Sequence, residues 1–249
     1  MARLKGILKI EGTLDELTFY KTQDGHLVKT KGGVSADRIA NDPNFQRTRE
    51  NGSEFGNAAT AGKVLRSSVR NLMMNAADNR ITSRLTQIMT VIKNYDTVSP
   101  RGERTVAIGI ADPAALALLK DFDFNDHAAL GSVLYAPYTV NGGTGAINFP
   151  SFIPINDLSF PLGATHISLK SAFADVDFST QISAIEYSPI TNLPIDGTNT
   201  PVTLTPAGVP AGGGTKFYLM LIEFFQEVNG IQYSLKNGSY NVLNIVDAA

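Results

Sequence analysis

Asp121, Asp123 and Asn125 put oxygen-bearing side chains at the first, third and fifth positions of the run DFDFND, the spacing with which a calcium loop begins. The pattern then breaks. Asp126 stands where such a loop needs glycine for its turn, and Ser132 stands where a bidentate glutamate must close the cage. The run reads as an exposed acidic turn, and a calcium site of another kind stays open. GVPAGGGTK at 208–216 starts like a phosphate loop, but Gly214, not lysine, follows Gly213. The residues after it have a strand pattern, so no helix N-terminus is there to receive a phosphate. This segment reads as a flexible hairpin loop. Gly142-Gly143-Thr144-Gly145 misses the dinucleotide-binding pattern for the same reasons. No serine has the glycine spacing of a nucleophile elbow, and no two histidines share the spacing of a helical metal site. His26, His127 and His166 lie in separate segments. The chain has no cysteine, which excludes disulfides and thiolate metal sites. No catalytic residue, cofactor or metal site is expected, and the chain does not read as an enzyme.

Charge is distributed unevenly around a net −2. Residues 1–104 carry 17 Lys and Arg against 11 Asp and Glu, a surplus of 6 positive charges. Residues 105–249 carry 4 against 12, a surplus of 8 negative charges. Opposite halves of this kind fit either an acidic partner for the first part or head-to-tail association of copies. Nucleic acid is the weaker reading. Only Phe45, Phe55 and Tyr95 offer stacking faces between residues 34 and 97, and acids are interspersed in RTREN and DNR. No apolar run is long enough to cross a membrane. The apolar stretch Gly6-Ile7-Leu8 between Lys5 and Lys9 is too short for a secretory signal, so a cytoplasmic location is expected unless export takes a route without a readable signal.

Three regions position these residues. In 1–33, ILKIE, LTFYK and HLVKT are rich in strand formers and separated by Gly12 and Asp24-Gly25, with Gly32-Gly33 ending the pattern. This predicts a three-stranded meander, which is too small to be stable unless it packs on something else. Residues 34–121 read as helical. Asp42-Pro43 and Asp112-Pro113 each place an N-cap before a first-turn proline. Val64, Leu65, Val69, Leu72, Met73 and Ala76 form a helical stripe, continued by Ile81, Leu85, Ile88, Met89 and Ile92. Gly52 and Gly56 weaken a helix across 45–51, Ser99-Pro100-Arg101-Gly102 reads as a turn or linker, and 106–110 reads as a strand.

Residues 122–249 read as short strands at 133–140, 146–152, 165–172, 175–178, 182–188, 202–205, 216–228, 231–235 and 239–246. Asn229-Gly230 is the clearest hairpin signal, Asn237-Gly238 is another, and the almost continuously apolar run from Phe217 to Phe225 predicts a central strand.

MARLKGILKIEGTL, LTFYKTQDGHLVKTKGGVS, DRIANDPNFQRTRENGSEFG and AGKVLR resemble the opening of a family of Bacteroidota proteins with no assigned activity, and IEFFQEVNGIQYSLKNGSYN resembles its C-terminus. The resemblance implies a bacterial origin and one architecture from end to end. It carries over no activity, substrate or catalytic residue.

The expected fold is α+β, mainly β: an N-terminal β-ribbon at 1–33, a helical segment at 34–121, and an antiparallel β-sandwich, immunoglobulin-like or similar, at 122–249. The expected function is a non-catalytic structural protein that self-assembles, as a filament, tube or shell. The expected contact residues are Ile7, Leu8, Ile10, Leu17, Phe19, Tyr20, Leu27 and Val28, with Arg47 and Arg49 as ion-pair donors. The alternative is a binding module for carbohydrate or protein, with its site in the loops 141–145 and 206–214. A further alternative is nucleic-acid binding through the arginine-bearing helices.

Overall fold

The computed structural model describes residues 2–3, 10–30, 33–76, 78–235 and 239–249. The chain forms two compact units, Met1–Arg49 and Glu50–Ala249. The fold is α+β, mainly β, as expected.

The first unit holds β1 (Ala2–Arg3), β2 (Gly12–Leu14), β3 (Leu17–Thr22), β4 (Gly25–Thr30) and α1 (Ala36–Asn41). Its antiparallel sheet has the order β1-β4-β3-β2. The expected first strand lies partly outside the described residues, and so do Ile7, Leu8 and Gly32. The described partner of β3 is β2, joined to it through a two-residue turn at Asp15 and Glu16, with Leu14 opposite Leu17. Asp15 takes the left-handed backbone that lets so short a turn close. Between β3 and β4, pairing runs to Thr22 opposite Gly25, so Gln23-Asp24 make the turn and Gly25 follows it at φ +114°. Asp42 caps a short turn at Pro43–Phe45 by accepting from the Asn44 N–H at 2.9 Å, as the Asp-Pro signal predicts.

The boundary between the units falls inside α2 (Gln46–Ser68). This helix runs unbroken through Gly52 and Gly56. The second unit continues with α3 (Arg70–Met73), α4 (Ile81–Ile92), α5 (Val106–Gly109), α6 (Pro113–Ala117), β5 (Phe122–Asp123), α7 (Leu130–Val133), β6 (Thr139–Val140), β7 (Ile147–Phe149), α8 (Pro154–Asp157), β8 (His166–Asp177), β9 (Ile182–Tyr187), β10 (Thr191–Pro194), β11 (Val202–Leu204), β12 (Thr215–Val228), β13 (Ile231–Ser234) and β14 (Val242–Ala248).

A seven-stranded antiparallel sheet is the centre of this unit, with β12 between β8 and β14. Residues alternate between its two faces, and both faces are covered. Ala172, Ala174, Phe217, Leu219, Leu221 and Ile245 meet helical residues such as Leu65, Leu85, Met89 and Ile92. Leu169, Phe173, Tyr218, Met220, Phe224 and Val242 meet Ile147, Phe149, Phe152 and Leu204, which lie on and around the small sheet β11-β7-β6. Burial on both faces is why the run from Phe217 to Phe225 is almost continuously apolar. It is also why the helices and strands form one unit, so the expected boundary at 121/122 falls within it. The two packed sheets are unequal, and helices cover the face that a second large sheet would cover in a sandwich.

Several local expectations are corrected. Within 106–110, Val106–Gly109 form the helix α5 and not a strand. Thr105 caps the helix by accepting from the Ile108 N–H at 3.3 Å, and Gly109 lies where any Cβ would overlap the Ile92 carbonyl. Of 133–140, only Thr139–Val140 is strand, because Val133 ends the short helix α7. The segments 165–172 and 175–178 join into the single strand β8. Ser99-Pro100-Arg101-Gly102 is a tight turn within the second unit and not a linker. Pro100 O accepts from the Glu103 N–H at 3.0 Å, and Gly102 supplies φ +96°. The Asn229-Gly230 hairpin forms as expected, with Val228 opposite Ile231 and both turn residues at positive φ. The Asn237-Gly238 signal lies outside the described residues.

Candidate functional site

In the first unit, strand register divides the expected contact residues between two faces. Phe19 stands opposite both Gly12 and Val28, and Leu17 opposite both Leu14 and Thr30. Leu14, Leu17, Phe19 and Val28 therefore share one face. Tyr20 and Leu27 stand opposite each other on the other face, beside Thr13, Thr18 and Lys29. That second face is polar in character: the Thr13 and Thr18 hydroxyls are 3.2 Å apart, and Lys29 Nζ lies 5.6 Å from the Tyr20 ring centre.

None of the described residues from 10 to 49 is buried. Leu14 is 65% exposed and Leu17 42%, which for the apolar face of a hydrogen-bonded sheet is surface left for another body to cover. Ile10 is exposed and precedes β2. Arg49 has partners inside its own unit: its Nη1 donates to Ile39 O at 2.8 Å and to Asp42 O at 3.0 Å. Arg47 lies exposed on the first turn of α2.

In the second unit, charge goes mainly into holding elements together. Glu54, only 1% exposed on the buried stripe of α2, accepts from Lys93 Nζ, from Arg104 Nε at 2.8 Å and Nη2 at 3.0 Å, and from the Gly102 N–H at 2.8 Å. The Arg104 hydrogen bonds, helped by Lys93 and Gly102 and opposed by burial, hold its carboxyl down to about 2. Asp96 is buried too. Burial pushes its pKa up, but hydrogen bonds from the N–H groups of Ser99, Thr105 and Val98 outweigh that and draw it below the usual carboxylate range. Glu54 fastens the segment after α4 onto α2, and Asp96 holds the turn within that segment.

The acidic run 121–126 is not an exposed turn. Phe122–Asp123 within it form the edge strand β5, and Phe122 and Phe124 are buried edge to face at 5.3 Å. Asp123 Oδ1 accepts from the Leu130 N–H at 2.9 Å and from Asn244 Nδ2 at 2.8 Å, and burial raises its pKa. Arg84 donates to Asp123 O at 2.8 Å, pairs with Asp78, and lies 5.2 Å over the Phe122 ring. Among the described residues there is no group of three His, Asp or Glu side chains placed to hold a metal ion.

The loops expected to carry a ligand are each tied back to the protein at one or two points, and most of their residues are exposed. Asn141 Oδ1 accepts from the N–H groups of Gly143 and Thr144 at 2.9 and 3.1 Å, and Tyr218 Oη donates to Gly142 O at 2.5 Å. Gly145, at φ +72°, sits where a Cβ would come within 2.7 Å of the Phe173 ring. In 206–214, Gly214 N–H donates to the buried Asp175 at 3.0 Å. Thr165 Oγ1 lies 3.0 Å from His166 Nδ1, whose Nε2 is 3.5 Å from Glu227. The same hydroxyl accepts from the Glu227 N–H at 2.7 Å, so the group ties β8 to β12.

One feature of this unit has no signal in the sequence reading. A groove of about 730 Å³ runs between α2 and α4, lined by Phe55, Ala59, Thr82, Thr86, Thr90 and Val91 among others. Gly62 packs beside it, where a Cβ would make ordinary van der Waals contact with Leu85, Thr86 and Met89 at 3.7–3.8 Å. The Thr86 hydroxyl donates to Thr82 O at 2.7 Å and the Thr90 hydroxyl to Thr86 O at 2.8 Å. With those hydroxyls satisfied by their own helix, the threonines turn methyl groups to the groove. Phe55 is 57% exposed and lies one position round the helix from the buried stripe. That offset, an aromatic beside and not on the stripe, is the signal that was available.

No family model, curated protein or solved structure matches the chain. No helix among the described residues is long and apolar enough to cross a membrane.

Proposed function

We propose that this is a non-catalytic structural protein whose copies associate through the N-terminal sheet into an extended assembly such as a filament, tube or shell. The observation that carries this reading is a hydrogen-bonded four-stranded sheet with an apolar face and no buried residue among those described from 10 to 49. With no buried residue among those described, this sheet draws little stability from a core of its own, and covering its apolar face is an available source of more. The opposite net charges of residues 1–104 and 105–249 favour contact between unlike parts of two copies. A contact between unlike surfaces that does not close into a ring propagates into a polymer.

The test is light scattering with negative-stain microscopy on the full chain, across protein concentration and salt. Mass is expected to grow with concentration, with ordered particles in the images. A monodisperse monomer under all conditions contradicts the reading.

A further inference from the structure

The groove between α2 and α4 and the tip of the β2–β3 hairpin are complementary, and we infer that the tip of one copy seats in the groove of a second copy. This rests on the self-association reading and names the two surfaces that meet. The tip is Leu14-Asp15-Glu16-Leu17. Its two leucines are a cross-strand pair on the apolar face, and the two acids between them are exposed.

The groove presents Phe55, Ala59, Val91 and threonine methyls, and among the described residues none that line it is charged. Lys63 continues the Phe55–Ala59 row of α2 by one more helical turn and is exposed. With the hairpin axis laid along the Phe55–Ala59 row, the side-by-side leucines cover that row and the Asp15 and Glu16 carboxylates extend toward the Lys63 ammonium. Apolar meets apolar and acid meets base in the same order along both surfaces.

Area gives the second argument. The sheet face spans roughly 15–20 Å by 20 Å, about 300–400 Å², from the strand spacing and rise. That is about half or less of the roughly 800 Å² per partner used by a stable interface. A flat contact on this face alone would be weak. Seating the tip in a concave surface buries the flanks of the hairpin as well as its face.

The experiment uses two full-length variants, Leu14→Asp in the tip and Phe55→Asp in the groove, both at exposed positions, with far-UV circular dichroism and thermal melting checking that each stays folded. Each alone is expected to lose association by roughly thirtyfold or more, the loss typical of a central apolar contact. Mixed, they are expected to form a dimer that grows no further, because one variant retains a working groove and the other a working tip. Lys63→Glu is expected to weaken association severalfold at low salt, and combining it with Asp15→Lys and Glu16→Lys to restore it.

If wild type assembles and Phe55→Asp assembles equally well, the groove is not the receptor and this inference is overturned while self-association stands. If both variants lose assembly but their mixture stays monomeric, docking of the tip on a second copy's groove is overturned. If wild type is monomeric at every concentration, the inference and the reading it rests on fall together.

Discussion

Glu54→Ala is expected to destabilise the second unit by about 3–5 kcal/mol, which for a unit of this size lowers the melting temperature by about 10 °C. The reason is what the substitution leaves behind. Lys93 is buried and Arg104 largely so, and both direct their donors at the Glu54 carboxylate, as does the Gly102 N–H. Removing the acceptor leaves the buried Lys93, the three-quarters-buried Arg104 and the Gly102 amide without their common partner, and that penalty exceeds any single hydrogen bond. Glu54→Gln keeps an acceptor oxygen but no charge, so it should fall between alanine and wild type.

The pH dependence follows from the same group. Its pKa is held at about 2, below its ordinary 4.5. Its contribution is therefore complete above pH 4.5 and is lost as the pH falls from there through about 2. In urea titrations the stability gap between wild type and Glu54→Gln should be widest near pH 5 and shrink steadily toward pH 2. A gap that is small at pH 5, or that widens on acidification, would show that the cluster does not hold α2 to the segment after α4.

Phe19→Ser and Tyr20→Ser should have unequal consequences, although the positions are adjacent in the same strand. Phe19 shares its face with Leu14, Leu17 and Val28, while Tyr20 shares the polar face with Leu27 and Lys29. Both changes remove an aromatic ring from β3 and cost the strand a similar amount of intrinsic propensity. Only the first removes a large apolar group from the surface proposed to be covered by a second copy. Phe19→Ser is expected to weaken association by about 2 kcal/mol or more, roughly thirtyfold, and Tyr20→Ser by no more than a fewfold. Sedimentation velocity on the full-length variants measures both. Equal losses would mean that the whole ribbon is needed only as folded structure, and a greater loss from Tyr20→Ser would place the contact on the other face.

The parts of the fold that were legible in the sequence are those fixed by local periodicity and turn chemistry. Asn229-Gly230 marks its hairpin because both positions need a left-handed backbone. Asp42 and Asp112 mark helix starts because each side chain caps an N–H two residues on. The apolar run of β12, interrupted only by Glu223 between Phe217 and Phe225, marks a central strand covered on both faces.

What was not legible depends on distant partners. The strand-like residues of 106–109 are helical, capped by Thr105, with Gly109 packed against the Ile92 backbone where no Cβ fits. The acids of 121–126 look solvent-exposed, yet they alternate with Phe122 and Phe124, which belong to the core, and the resulting edge strand is fastened by Arg84 and Asn244. Glu54 sits on an apolar stripe where an isolated acid is unfavourable, and its partners are roughly 40–50 positions away. The expectation that the N-terminal ribbon packs on another surface came from its composition and small size. The division of its apolar residues between two faces required the strand register, because a shift of one residue exchanges the faces.

The central claim is that the Leu17 face of the N-terminal sheet is covered by another copy. The chain contains no cysteine, so Leu17→Cys introduces a single thiol at a position 42% exposed in one chain. The decisive measurement is the alkylation rate of that thiol across protein concentration, in parallel with sedimentation of the same samples. The thiol is expected to react freely in dilute solution and to become protected in step with the growth of mass. A rate that stays constant while particles grow would contradict the claim, because it would leave this face open to solvent inside the assembly.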